Sequence, residues 1–169
     1  IMREFGLNAA ATREAIKVFQ AYYAPKGLYE NQLYPGMRET LAALQAQDLQ
    51  LAIATSKPEP FAKKVIDHLE LGDYLSGVFG ASVDETTRVK KADVITYALS
   101  ELGLSPQTAP LLMVGDRQND ILGAKQNAMN AVGVSYGFGT IAELKKAGAV
   151  QIVQQPSELI TSLPANLKF

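Results

Sequence analysis

Short apolar runs alternate with stripes of helical period along most of this chain. Residues 49–55, LQLAIAT, read as a buried strand, followed by Ser56 as a helix N-cap and Pro58 in the first helical turn. The helix that follows places Phe61, Val65, Ile66 and Leu69 on one stripe and ends near Gly72. A second strand is expected over residues 78–82. A helix over Lys91–Leu102 then turns Val94, Ile95, Ala98, Leu99 and Leu102 inward and closes on Gly103. Residues 111–115 form a third apolar run, with a helix after it over about 120–128. Further strands are expected at 131–135 and 150–153, with a short helix over 140–148 between them. Repeated strand–helix–strand units of this size predict an α/β fold, a doubly wound parallel sheet with helices on both faces.

The opening departs from that pattern. Residues 8–24 carry Ala11, Ala15, Val18, Phe19 and Tyr22 at helical spacing, and no strand follows. A turn-rich stretch leads through Pro35-Gly36 to a helix over residues 37–47. Residues 1–33 are therefore expected to be a partial helical cap, and residues 34–169 the α/β core. Sixteen basic and 17 acidic residues give a net charge of −1, which offers no footprint for nucleic acid or an anionic membrane. The absence of Cys excludes disulfides, thiolate zinc sites and thiol nucleophiles. No apolar run approaches membrane-spanning length, so a cytoplasmic protein is the expectation.

In open parallel sheets, ligands bind outside the carboxyl ends of the strands. Thr55-Ser56-Lys57, Ser82-Val83-Asp84, the run from Gly115 to Asp120, and Tyr136-Gly137-Phe138-Gly139 all fall there. Asp116 and Asp120, at a strand-to-helix turn, can aim two carboxylates at one point, which suits a hard cation such as Mg2+. Gly115 lets the backbone approach closely. The plainer reading has Asp120 capping the next helix and Asp116 finishing a turn. Thr55 reads equally as a helix cap. Lys90-Lys91 puts two cations where the helix dipole opposes them, a choice that a nearby anion would explain. His68 reads as a solvated helix position, Asp84-Glu85 as loop charge, and Tyr22, Tyr23, Tyr29 and Tyr34 as packing between helices.

The order of these elements carries a resemblance. "LAIATSKPEPFAKKVIDHLEL", "VKKADVITYALSELGL" and "LLMVGDRQNDILGAKQNAMNAVGVSYGFG" resemble the second, third and fourth motifs of the haloacid-dehalogenase-like superfamily. "YENQLYPGMRETLAAL" resembles the segment that leaves a helical cap in its phosphoglycolate-phosphatase-like branch. The resemblance implies a Rossmann-like core. Thr55 and the Ser56 amide would bind the phosphoryl group, and Lys91, or in second place Lys90, would neutralise it. Asp116 would bind Mg2+ directly, and Asp120 would do so through water or orient its shell. Asn31 would approach the substrate from the cap.

The family's nucleophile lies in an Asp-x-Asp-Gly-Thr segment on the first strand, and these 169 residues contain none. Asp48, Asp67, Asp73 and Asp84 lack the following Gly-Thr. In the family's sheet that strand lies between those ending at Thr55 and Gly115, so its omission exposes two inner edges. The expectation is an incomplete record of a complete enzyme. It would be a Mg2+-dependent phosphomonoester hydrolase working through an aspartyl-phosphate on a small phosphate ester, of phosphoglycolate or nucleoside 5′-monophosphate type. The alternatives are an inactive fragment serving as a binding or regulatory module, and a flavodoxin-like phospho-acceptor, which would need no cap.

Overall fold

The computed structural model describes residues 6–83 and 87–161, with backbone alone at positions 19 and 20. It divides into two compact units, residues 1–32 and residues 33–169.

The smaller unit holds α1 (Ala9–Tyr23) and a 3-10 turn over Gly27–Tyr29. Asn8 caps α1, its Oδ1 accepting from Ala11 N at 2.9 Å. Leu28 is fully buried, but Ile16, Val18, Tyr22 and Tyr29 stay exposed. Tyr23 is half-buried, and the Tyr22 hydroxyl donates to Glu30 Oε1 at 2.8 Å.

The larger unit runs α2 (Met37–Gln45), β1 (Ala52–Pro58), α3 (Glu59–His68), β2 (Gly77–Ala81), α4 (Lys91–Leu102) and β3 (Leu112–Gly115). It continues through α5 (Gln118–Gln126), β4 (Asn130–Val134), α6 (Ile141–Ala147) and β5 (Gln151–Val153) to a 3-10 segment, Pro156–Ile160. All pairings are parallel, as the alternating pattern predicted, and helices cover both faces of β3–β4–β5. Val132, Val134 and Val153 pack on one face with Leu44 and Leu159. Ala131 turns to the other, with Ile121, Leu144 and Ala147. That is the two-residue alternation of a pleated strand.

One boundary differs in kind. β1 does not end at Thr55 but continues to Pro58, with a shift of register against β2 between Thr55 and Pro58. Ser56 therefore caps nothing, and α3 starts at Glu59 behind Pro58. The Thr55 hydroxyl accepts from Lys57 N at 3.2 Å, a local turn that uses the group expected to serve as a cap. Asp84 and Glu85 lie outside the described residues.

The strands form two sheets, β1–β2 and β3–β4–β5, and no ladder joins β1 to β3. Between them lies a slot of about 410 Å³, lined by Ala52 and Ala54 of β1, Met113 and Val114 of β3, and Leu99 and Leu102 of α4. Val114 is 39% exposed, although its strand reads Leu-Met-Val-Gly, a sequence suited to cover on both faces. The two unpaired inner edges stand where the resemblance placed the missing strand.

The outer strand is treated differently. Among the described residues β2 pairs only with β1, and both main-chain groups of Gly80 are taken by side chains. Gly80 N donates to Glu59 Oε2 at 3.2 Å, and Arg88 Nε donates to Gly80 O at 3.0 Å. The Arg88 guanidinium also lies 4.0 Å from the Tyr97 ring centroid. These side chains occupy an edge that would otherwise invite another strand. Arg88→Ala strips the carbonyl of its donor, and a loss of about 1–3 kcal/mol is expected. Thermal denaturation checks this, and an unchanged midpoint would mean that water replaces the guanidinium without cost.

Candidate active site

Three segments of the larger unit meet at the carboxyl ends of β1 and β3. The first is Thr55 with its neighbours. The second is Lys91, the first residue of α4, whose Nζ donates to Ala54 O at 2.8 Å and lies 2.9 Å from Asp120 Oδ1. The Lys91 and Asp120 side chains are 11% and 8% exposed, so the pair is largely removed from water. Lys90 is exposed, and its backbone N donates to Asp93 Oδ2 at 3.2 Å. The inward cation is thus Lys91. It supplies a polar tie between β1, in one sheet, and the helix that follows β3, in the other.

The third segment is the turn from Gly115 to Asp120. Asp120 Oδ2 accepts from Arg117 N at 3.0 Å, which satisfies a donor at the start of α5. The helix-cap and charge-pair readings of Asp120 therefore both apply, one to each oxygen. A Cβ on Gly115 would fall on the Asp120 side chain, which gives the glycine a steric reason. Asp116 Oδ2 accepts from Phe138 N at 2.7 Å. Its other oxygen has no donor among the described residues.

Tyr136 stands close to Asp116 and packs edge-on against Tyr34, with ring centroids 4.9 Å apart. Burial above all, then Tyr34 and the Asp116 charge, push its phenol up to about 12, so it remains a neutral wall at ordinary pH. Burial also pulls the Lys57 ammonium below the usual lysine range. Glu143, in the first turn of α6, accepts from Gln118 N at 2.8 Å. That bond, with help from Arg117, holds its carboxyl below the usual range.

A hard cation takes oxygen ligands and keeps several waters. The chemistry of the donors on this rim fits such an ion, with Asp116 offering a carboxylate oxygen directly. Both Asp120 oxygens are already bonded to protein donors, so beside such an ion it would orient the shell rather than ligate directly. Among the described residues no group of three acids or histidines gathers that could hold a metal ion. The two carboxylates would be this chain's share of such a site, and further ligands would come from water, substrate or another segment.

Asn31 lies in the smaller unit, where its side-chain amide donates to Leu28 O at 2.5 Å. His68 is exposed on α3. Glu143 is the residue beside this turn that the sequence reading did not single out. Thr140 followed three residues later by Glu143 has the spacing of a reciprocal helix cap. Half of that cap forms, Glu143 N donating to Thr140 Oγ1 at 3.1 Å, while the carboxylate turns to α5 instead.

Comparison with known proteins agrees with this geometry. The model of the haloacid dehalogenase-like hydrolases matches residues 1–134. The chain is 35% identical to a 5′-nucleotidase of Pseudomonas aeruginosa, over 85% of its own length and 64% of that protein's. It is 31% identical to a phosphoglycolate phosphatase of Escherichia coli, over 87% of its own length and 57% of the other's. The similar solved structures include protein tyrosine kinase A of Mycobacterium tuberculosis, with a TM-score of 0.79 and 34% identity, covering 97% of this chain and 75% of that one. The chain thus spans less than two thirds of the curated phosphatases it matches. Motif order, sheet topology and the extent of the family match agree: the chain belongs to the haloacid dehalogenase-like hydrolases and resembles their phosphoglycolate phosphatases.

Proposed function

We propose that the protein is a Mg2+-dependent phosphomonoester hydrolase acting on small phosphate esters. The observation that carries the reading is Lys91. A largely buried ammonium, held between Ala54 O and Asp120 at the carboxyl ends of the strands, sits where a phosphoryl dianion would need its charge offset. Thr55 and the Ser56 amide bind the phosphoryl oxygens, and Asp116 with Asp120 holds the cation. Bound Mg2+ would supply charge neutralisation and orientation of the phosphoryl group.

The nucleophile is an aspartate carboxylate from outside these 169 residues. Its oxygen bonds to phosphorus as the ester P–O bond breaks, and the departing alkoxide takes a proton from a second carboxyl group. Water then cleaves the aspartyl-phosphate and releases inorganic phosphate. The 5′-nucleotidase and phosphoglycolate phosphatase relatives make nucleoside 5′-monophosphates and phosphoglycolate the substrates to assay, and Asn31 is the residue of the smaller unit to which we assign a contact with them.

One observation favours a second reading, a module that binds Mg2+ or phosphate without turnover. Asp48 precedes β1, Asp67 lies on α3 and Asp73 lies before β2, so none of them stands at the carboxyl end of β1 to attack. Phosphate release by the full-length protein separates the two. Hydrolysis in Mg2+ that falls at least about 100-fold in EDTA is expected. Binding without release from either ester would establish the second reading.

A further inference from the structure

The turn carrying Asp116 is gripped by one contiguous segment, residues 137–143. Phe138 N donates to Asp116 Oδ2 at 2.7 Å, and Gly137 is pressed so closely on Asp116 that a Cβ there would collide with the carboxylate. Glu143 takes hold two residues further along. Its Oε1 accepts from Gln118 N at 2.8 Å and lies 3.4 Å from Arg117 Nε. Arg117 N is meanwhile bonded to Asp120 Oδ2 at 3.0 Å. Residues 116, 117 and 118 are therefore each tied by a carboxylate–amide bond.

Two of those bonds satisfy helix-terminal donors of α5, and the carboxylates sit at the end of the helix dipole that favours negative charge. Glu143 is the one member of the set that comes from a different helix. Its side chain is 23% exposed against 56% for Arg117, so the salt bridge is partly solvated and the bond to the Gln118 amide is the firmer contact.

We propose that Glu143 is a positioning residue for the cation site, fixing the Asp116 turn through the Gln118 amide without touching the cation. The inference rests on the Mg2+-dependent reading above and adds to it a residue on which the geometry of Asp116 depends. Groups that orient ligating carboxylates typically change metal affinity by 10- to 100-fold when removed. Chemistry after binding uses other residues. The loss should therefore appear in the Mg2+ concentration needed for half-maximal activity more than in kcat at saturating Mg2+.

The test compares the full-length protein with Glu143→Ala and Glu143→Gln. Mg2+ affinity is measured by calorimetry, and exchange of the Gln118 amide by NMR. Glu143→Ala is expected to weaken Mg2+ binding by about tenfold or more and to speed exchange at Gln118. Glu143→Gln keeps an oxygen for that amide and should restore most of both. Equal Mg2+ affinity in all three proteins would overturn the inference, and so would a Gln variant as weak as the Ala variant. Failure of the unaltered protein to bind Mg2+ would overturn the functional reading itself, which separates the two failures.

Discussion

Replacing Lys91 with Met is expected to lower phosphate release by about 10²–10³-fold and stability by about 3–5 kcal/mol. The two effects have different origins. Activity would fall because, in the proposed reading, the ammonium offsets charge on the phosphoryl group. Stability falls because Asp120, whose side chain is 8% exposed, keeps its charge and loses the partner at 2.9 Å, while Ala54 O loses its donor. A buried charge left without its counterion costs more than the pair contributed. For a chain of this size the midpoint should drop by roughly 6–20 °C. Lys90→Met supplies the control, since Lys90 is exposed and its replacement should change stability by no more than about 0.5 kcal/mol. Equal melting of the two variants would remove the assignment of Lys91 as the inward cation.

Asp116→Asn should abolish Mg2+-dependent hydrolysis, by more than about 100-fold, and leave the fold in place. The asparagine oxygen can still accept from Phe138 N, the hydrogen bond that the Asp116 side chain makes among the described residues. What disappears is the negative charge that a hard cation requires. Circular dichroism and thermal denaturation should match the unaltered protein within about 1 kcal/mol. An active variant would show that the cation, if one is used, is held elsewhere.

Legibility from sequence tracked how local the responsible physics is. The bounds of α4 follow from neighbouring residues, with Lys91 at its start and Gly103 in the left-handed conformation at its end, and they were read as they stand. β1 was misread at its end because Thr-Ser-Lys-Pro has the composition of a helix start, while its pairing with β2 carries the strand on to Pro58. Cross-strand pairing is not visible in a window of a few residues. The carboxylates at 116 and 120 were legible as a candidate pair, but not their partners. Phe138 N and Glu143 reach the turn from 22 and 25 residues away in sequence, and only packing brings them there. The interruption between β1 and β3 was expected from the family's strand order, not from periodicity, which treats inner and outer strands alike.

The divided sheet also bears on how the larger unit opens. Ladder hydrogen bonds transmit cooperativity along β1–β2 and along β3–β4–β5, but none crosses between them. Across the seam the connection rests on side chains: those of α4, the Lys91–Asp120 contact, and those of α2, whose Leu44 packs with Val132 and Val134 while Arg38 and Gln45 donate to the carbonyls of Leu69 and Asp73. Side-chain packing yields locally at lower free energy than a continuous ladder. Among the described residues, amides of β1 and β3 that face the slot are therefore expected to exchange with solvent before those of β4, which is paired on both sides.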